Sequence, residues 1–262
     1  MRVLKLYVLV LLLSTAQALS DCEALIANLA KTSPLSQTAF PALAQIEQEL
    51  GQGSLIDIQK EASLETIKAH NQKTAKALAE PAQLVAPNGD NGLSFREADF
   101  FVRLIDKHPT HGRLKEKSFD PEGCFGFCFG RATLIHNEAL LRNIPSHLIK
   151  KIWAVGPSEN QRWQFHVSTL FKAESKNTWW AADPIFYQAL DVRTWVLQMN
   201  SLSDDGRMMF FVTDPNRFSV YSSRPYSAVD LLGDGQSDFY NGYFKSYLES
   251  VLGQPVSETM QK

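Results

Sequence analysis

The chain has 262 residues, enough for one substantial domain with an accessory segment or for two small domains. Hydrophobic residues make up 44% and charged residues 21%, the balance of an ordinary soluble globular protein. Nothing in a formal net charge of -2 suggests nucleic acid or an anionic membrane as a partner, so neither is expected.

The chain opens with positive Arg2 and Lys5, an unbroken apolar run over residues 6–13, and the small residues Ala16 and Ala18. That pattern predicts a signal peptide over residues 1–18, cleaved after Ala18, and hence a secreted or periplasmic protein. The apolar run is too short to span a bilayer comfortably, so stable membrane insertion after cleavage is not expected. An uncleaved anchor is the alternative, as is a lipoprotein signal at Cys22, although Asp21 stands where a small residue belongs. Export bears on the three cysteines, Cys22, Cys124 and Cys128. In an oxidising compartment an odd count lets two pair and leaves one free.

After the signal, Leu43, Ile46 and Leu50 follow Pro41 at helical spacing, with Gly51 and Gly53 closing the helix. A second helix is expected over residues 64–78; its apolar stripe is thin, so it needs a partner surface. Pro81 and the run from Pro87 to Gly92 read as a linker or exposed loop. Residues 19–92 are therefore expected to form a helical N-terminal segment, either a cap or a permanently attached subdomain. Ser94 and Glu97 make a capping-box pattern that starts a helix with Phe95, Phe100, Phe101, Leu104 and Ile105, ending near His108 and Pro109. A loop over residues 110–123 leads to a helix over residues 128–141, with Cys128, Ala132, Ile135 and Ala139 on one face. Strands are expected at residues 151–155, 163–171 and 179–182, and two more at 207–212 and 218–221. One helix ahead of several antiparallel strands is an α+β pattern. Residues 93–253 would be the main domain and 254–262 a frayed tail.

The chemistry concentrates in Gly123-Cys124-Phe125-Gly126-Phe127-Cys128-Phe129-Gly130-Arg131-Ala132. A thiol at a helix N-terminus feels the positive end of the helix dipole, which favours thiolate. The glycines let a substrate backbone approach closely. Two buried or bridged cysteines in a tight turn are the structural alternative. Farther on, Trp163, Phe165 and Val167 share one strand face and Gln164 and His166 the other, so His166 points away from the apolar face. An ordinary exposed strand histidine has the same pattern. Asp183-Pro184 closes the next strand, and pairing across the intervening turn puts Asp183 opposite His166 or one diagonal step away. A carboxylate there would hold the imidazole tautomer, or Asp-Pro merely ends the strand. Cysteine at a helix start, histidine on a strand and aspartate on its neighbour is the order a cysteine triad needs.

Gly123-Cys124, Cys128-Phe129-Gly130-Arg131-Ala132, Phe165-His166-Val167, Asp183-Pro184-Ile185-Phe186 and Val192-Arg193-Thr194-Trp195 follow one another in a familiar order. Over residues 95–225, roughly half the chain, the sequence resembles the bacterial protein-glutaminase (protein-deamidating) enzymes of the transglutaminase- and papain-like cysteine superfamily. The resemblance implies a core in which the nucleophile's helix packs on an antiparallel sheet. It also implies a catalytic triad of Cys128, His166 and Asp183, no metal or organic cofactor, protein or peptide substrates bearing glutamine, and an N-terminal pro-region, here residues 19–92; a monomer is expected. The nucleophile run is stretched relative to the family, which makes Cys124 a rival, and the family's histidine after Arg-Ala is Thr133 here. Papain-like enzymes place a disulfide cysteine just ahead of the catalytic one. The resemblance thus implies pairing of Cys124 with Cys22, leaving Cys128 free. A transglutaminase or a cysteine peptidase would use the same triad, and a non-enzymatic exported binding module would keep its cysteines structural. His108, His111, His136 and His147 show no metal spacing and read as surface or cap residues. Asp230, Asp234 and Asp238 miss the EF-hand spacing. Asp214-Pro215 is a distant alternative third member of the triad, and Trp179-Trp180 reads as half core, with one ring able to line the substrate cleft.

Overall fold

The computed structural model describes residues 54–79, 92–108, 112, 127–158, 164–174, 178–203, 205–226, 243, 244 and 247. The signal peptide, the helix expected after Pro41, Cys22, Cys124, the Pro87–Gly92 loop short of Gly92, the aspartates of residues 230–238 and the tail lie outside them. The described residues combine helices with antiparallel sheet, an α+β arrangement.

Helices α1 (Leu55–Glu61) and α2 (Leu64–Ala79) come first, followed by α3 (Phe95–Asp106) and α4 (Cys128–Leu141). Strands β1 (Ile149–Val155), β2 (Phe165–Lys172), β3 (Trp179–Ala182) and β4 (Leu190–Asp191) then lead to helix α5 (Val192–Asn200) and strand β5 (Met209–Thr213). A small hairpin, β6 (Arg217–Ser219) and β7 (Ser222–Pro225), completes the series. The five-stranded sheet runs β4-β3-β2-β1-β5 with every pair antiparallel.

Local chemistry accounts for several boundaries. Helix α3 begins at the expected capping box: Glu97 N–H donates to Ser94 Oγ at 3.3 Å, and Ser94 N–H donates to Glu97 Oε2 at 2.7 Å. It ends at Asp106, with Phe95 and Phe100 exposed rather than in the core. Helix α4 keeps the expected bounds. Helices α1 and α5 and strand β4 were not anticipated. Asp191 caps α5 through a hydrogen bond from Arg193 N–H at 2.9 Å, a start signal readable in the sequence.

Both faces of the sheet are buried. Ile149, Trp153, Val155, Val167 and Phe171 join a core with α1, α3 and α4. Ile152, Ala154, Leu170, Ala181 and Phe210 join a second core with Trp195 and Met199 of α5. The strand alternation therefore separates two cores rather than core from solvent, and His166 is only 3% exposed.

Strand β5 lies at one end of the sheet order, and α2 covers its free edge with polar side chains. Asn71 Nδ2 donates to Met208 C=O at 2.9 Å, and Phe210 N–H donates back to Asn71 Oδ1 at 2.9 Å. One amide side chain thus reproduces the donor–acceptor pair of a neighbouring strand. His70 Nε2 and Thr74 Oγ1 reach Phe210 C=O at 2.8 and 3.2 Å. Ile67 enters the first core and Leu78 the second, so the thinly apolar helix gains the partner surface it required.

His136 departs from the surface role expected of it. It is 4% exposed, and its Nδ1 is hydrogen-bonded to the Tyr226 hydroxyl. Burial, followed by the charge of Lys151, lowers its pKa to about 3. Lys151 is itself fully buried, 3.3 Å from Thr133 Oγ1 and 3.4 Å from Arg217 C=O, with Phe129 and Tyr226 rings at 4.4 and 4.8 Å. Burial lowers its pKa, while the Cys128 charge opposes that shift.

Two outcomes follow from this packing. Asn71→Ala strips one donor and one acceptor from the β5 edge and should cost about 2 kcal/mol in urea unfolding; an unchanged midpoint would show the edge is satisfied without α2. A histidine with a depressed folded-state pKa contributes full stability above its unfolded value of 6.5 and loses it as pH falls towards about 3. Thermal melts should accordingly show a steep acid loss over that interval, worth up to ~5 kcal/mol by linkage, that His136→Gln flattens.

Candidate active site

The site forms where β3 stops short. Thr169 pairs with Ala182 at the last register position between β2 and β3. Continuing that register puts Asp183 opposite Ser168, so His166 is one diagonal step away. Ala173 N–H donates to Thr178 C=O across the same pair, so odd-numbered residues of this strand aim their backbone groups towards β3. Val167 shares that parity but lies beyond the end of β3. Its N–H goes instead to the sulfur of Cys128.

Cys128 is the first residue of α4, and no side chain caps that helix at Phe127. No acidic residue occupies the first turn, so the positive helix end acts on the thiol undiluted. Cys128 carries a free thiol, 9% exposed. It belongs to the core on the α4 face, whereas His166 shares its parity with Leu170 on the α5 face. The two meet around the unpaired edge of β2, where the thiol hydrogen-bonds the imidazole.

Asp183 supplies the second contact of the imidazole. His166 Nε2 lies 2.6 Å from Asp183 Oδ2, and both residues are buried. With Nε2 held there, Nδ1 is the nitrogen left for sulfur. The carboxylate is oriented by its own turn. Pro184 offers no N–H, and Asp183 Oδ1 accepts from Ile185 N–H at 3.2 Å to cap the 3-10 turn Pro184–Phe186. Oδ2 accepts a further hydrogen bond from Trp195 Nε1 at 2.8 Å. The indole also stacks on the imidazole, with centroids 6.1 Å apart and planes at 27°.

Electrostatics match this geometry. Burial pushes the Cys128 thiol up, but the His166 hydrogen bond, the His166 and Arg131 charges and the Val167 N–H bring it below its ordinary value. Burial pushes His166 down, and the Asp183 charge and hydrogen bond, with smaller contributions from Cys128, raise it to about 9. Burial pushes Asp183 up, and His166, Trp195 and Arg131 more than reverse it. The contacts within the site thus favour the thiolate, the imidazolium and the carboxylate over their neutral forms.

All three residues singled out in the sequence meet here. Asp214 does not: it pairs with Lys150 Nζ at 2.7 Å, on a side chain of the opposite neighbour strand. Trp179 is buried and Trp180 Nε1 donates to Leu93 C=O at 3.0 Å, so both rings have structural work. The Gly130 position is also filled from within: a Cβ there would lie 3.0 Å from the Tyr243 ring, so the missing side chain admits this chain's own aromatic residue. Sequence reasoning missed Trp195 as a site residue. Its signal was the Asp191 cap four residues ahead of it, which starts a helix aimed back at β3. Among the described residues no cluster of histidine, cysteine and carboxylate side chains has the geometry to hold a metal, and no helix is long and apolar enough to cross a membrane.

Comparison with protein-family models, curated proteins and solved structures found no significant match.

The lowered thiol pKa has a chemical readout. A thiol pKa held below its ordinary value leaves Cys128 more ionised at pH 6 than a free cysteine, which is almost wholly protonated there. Iodoacetamide should therefore modify Cys128 at pH 6 faster than it modifies an unstructured cysteine peptide. His166→Ala should slow that reaction at least tenfold, roughly the effect of one charge-assisted hydrogen bond. Equal rates in the two proteins would separate the thiol from the imidazole.

Proposed function

We propose that the chain is an exported protein-glutamine glutaminase, a cysteine-dependent amide hydrolase with a papain- or transglutaminase-like core. The observation that carries this reading is the free Cys128 thiol, at an uncapped helix start, hydrogen-bonded to an imidazole that Asp183 holds at 2.6 Å. The sequence resemblance to protein-deamidating enzymes selects the substrate class, and the signal-like N-terminus supports export.

In the proposed reaction the Cys128 thiolate attacks the carbon of a glutamine carboxamide. The Cys128 backbone N–H, at the helix start, is one donor to the oxyanion of the tetrahedral intermediate. Imidazolium His166 gives its proton to the departing nitrogen as the C–N bond breaks, releasing ammonia and leaving a thioester. Loss of the thiolate charge removes one of the interactions that keep His166 protonated. The now neutral imidazole takes a proton from water, which attacks the thioester carbon. Cleavage of the C–S bond restores the thiolate and leaves glutamate. Asp183 stays ionised and orients the ring throughout. No metal or organic cofactor takes part in these steps.

Burial favours a slender substrate group. Cys128, His166 and Asp183 are respectively 9%, 3% and 1% exposed, and a single side-chain carboxamide reaches such a sulfur more easily than a main-chain amide flanked by side chains. The contacts of α2 with β5 and both cores favour a permanent subdomain over a removable pro-region for residues 54–79, so a maturation cut would precede Ser54.

Cys128→Ala should lower ammonia release from a glutamine-rich protein by at least ~10³-fold while leaving circular dichroism unchanged. Retained release would move the nucleophile to Cys124. Amine incorporation at glutamine without its conversion to glutamate, or the appearance of peptide fragments, would replace deamidation by transglutamination or proteolysis.

A further inference from the structure

Between Asp183 and Trp195 the chain makes a closed excursion. It leaves β3, turns through Pro184–Phe186, reverses at Tyr187 with φ 61°, forms β4 and enters α5. Tyr187 is a non-glycine residue in the left-handed region, a conformation that costs free energy and persists only where the surroundings hold it. Helix α3 holds the loop: Ala189 N–H donates to Asp99 Oδ1 at 3.1 Å, and Arg103 Nε anchors the same carboxylate at 2.6 Å. Asp191 then starts α5, with Oδ2 accepting from Thr178 Oγ1 at 2.7 Å and Oδ1 from Arg193 N–H. The result is that the first full turn of α5 delivers Trp195 back onto the carboxylate from which the excursion began.

We propose that Trp195 is a fourth member of this site, a positioning residue that keeps Asp183 ionised and aligned so that His166 presents Nδ1 to the sulfur. The proposal deepens the reading of Cys128, His166 and Asp183 as a catalytic set and rests on it. Its basis is geometric. The indole N–H and the imidazole Nε2 converge on one oxygen, at 2.8 and 2.6 Å, while the other oxygen is held by Ile185 N–H. The carboxylate can neither rotate nor relax without losing a hydrogen bond in a buried site. The indole has no exposed surface and lies nearly parallel to the imidazole, which limits ring rotation and shuts water out of the Asp183–His166 bond. Phe210 packs edge-on against the indole at 6.2 Å and fixes it from β5.

The direction of the effect follows from the bonding. A donor to the carboxylate favours its ionised form; an ionised Asp183 favours imidazolium; imidazolium favours thiolate. The groups facing this chain of contacts are Cys128 and Arg131 from α4, with the Val167 N–H from β2, and the fully buried Lys151 of β1 interacts with the Cys128 charge. None of these is altered by Trp195→Phe, which keeps an aromatic ring on the imidazole and deletes the donor.

The test is the pH profile of Cys128 alkylation by iodoacetamide in the full-length chain, which needs no substrate. Trp195→Phe should alkylate roughly tenfold more slowly at pH 6, the effect of losing one hydrogen bond to a charged group, and should converge on the wild-type rate at high pH, where the thiol is ionised regardless. In ammonia release the same variant should lower kcat and leave KM unchanged. An unaltered profile, or a change of equal size at every pH, would overturn the proposal and reduce Trp195 to a packing residue. A protein that deamidates nothing yet shows the shifted alkylation profile would refute the glutaminase reading and keep Trp195 in its role. Should the phenylalanine variant fail to fold, the wild-type protein labelled with 15N decides: of its five indole N–H signals, one should move with the ionisation of Cys128 and stop moving in Cys128→Ala. Five invariant signals would end the idea.

Discussion

The site depends on a strand that ends too early. Strand β3 pairs with β2 only as far as Ala182, so the first residues of β2 face a gap on that side. A gap in a buried sheet cannot be left empty, because a bare amide in a dry interior is costly. Here the Val167 N–H finds the sulfur at the start of α4. The same early ending releases the chain at Asp183, whose carboxylate falls one diagonal step from His166. The Cys128 sulfur arrives from one face of the sheet and the histidine–aspartate pair from the other, and the missing stretch of β3 is what lets them touch.

Three ionisable groups in so dry a place would normally discharge one another or unfold the region. Removing an unpaired charge from water costs several kcal/mol, and only a full set of partners offsets it. Asp183 has that set: Ile185 N–H on one oxygen, His166 and Trp195 on the other. Burial alone would make the thiol and the carboxylate neutral and the imidazole uncharged. The mutual contacts outweigh burial for each of the three, which is why the thiol and the aspartate shift down while the histidine shifts up. Lys151, a short way along the same interior, is the contrasting case. Its neighbours are a hydroxyl, a carbonyl and aromatic faces, and burial prevails there.

Support for this arrangement reaches well beyond the three residues. Helix α3 pins the loop after Asp183 through Asp99, Asp191 sets the start of α5, and α2 closes the β5 edge that backs Phe210 against Trp195. The segment before residue 80 is thus tied to the far side of the sheet that carries the histidine. A site of buried charges needs such a frame, since a displacement of about an ångström would leave one of them unpaired.

Much of this was legible in the sequence, for reasons that are local. The capping box at Ser94, the bounds of α4, the positions of the central strands and the diagonal relation of His166 to Asp183 all follow from side-chain chemistry and the two-residue period of a strand. The short elements were not legible. Helix α1, strand β4 and helix α5 carry too few residues for a periodic pattern to stand out, and their existence depends on the surfaces they meet. His136 read as a surface residue because a helix sequence does not reveal that the β6–β7 hairpin brings Tyr226 over it. Local patterning was enough to place a cysteine at a helix start, a histidine on a strand and an aspartate at the end of its neighbour, in that order. The burial of both sheet faces, the point where β3 ends and the return of Trp195 to Asp183 were not readable there, because each depends on contacts between segments far apart along the chain.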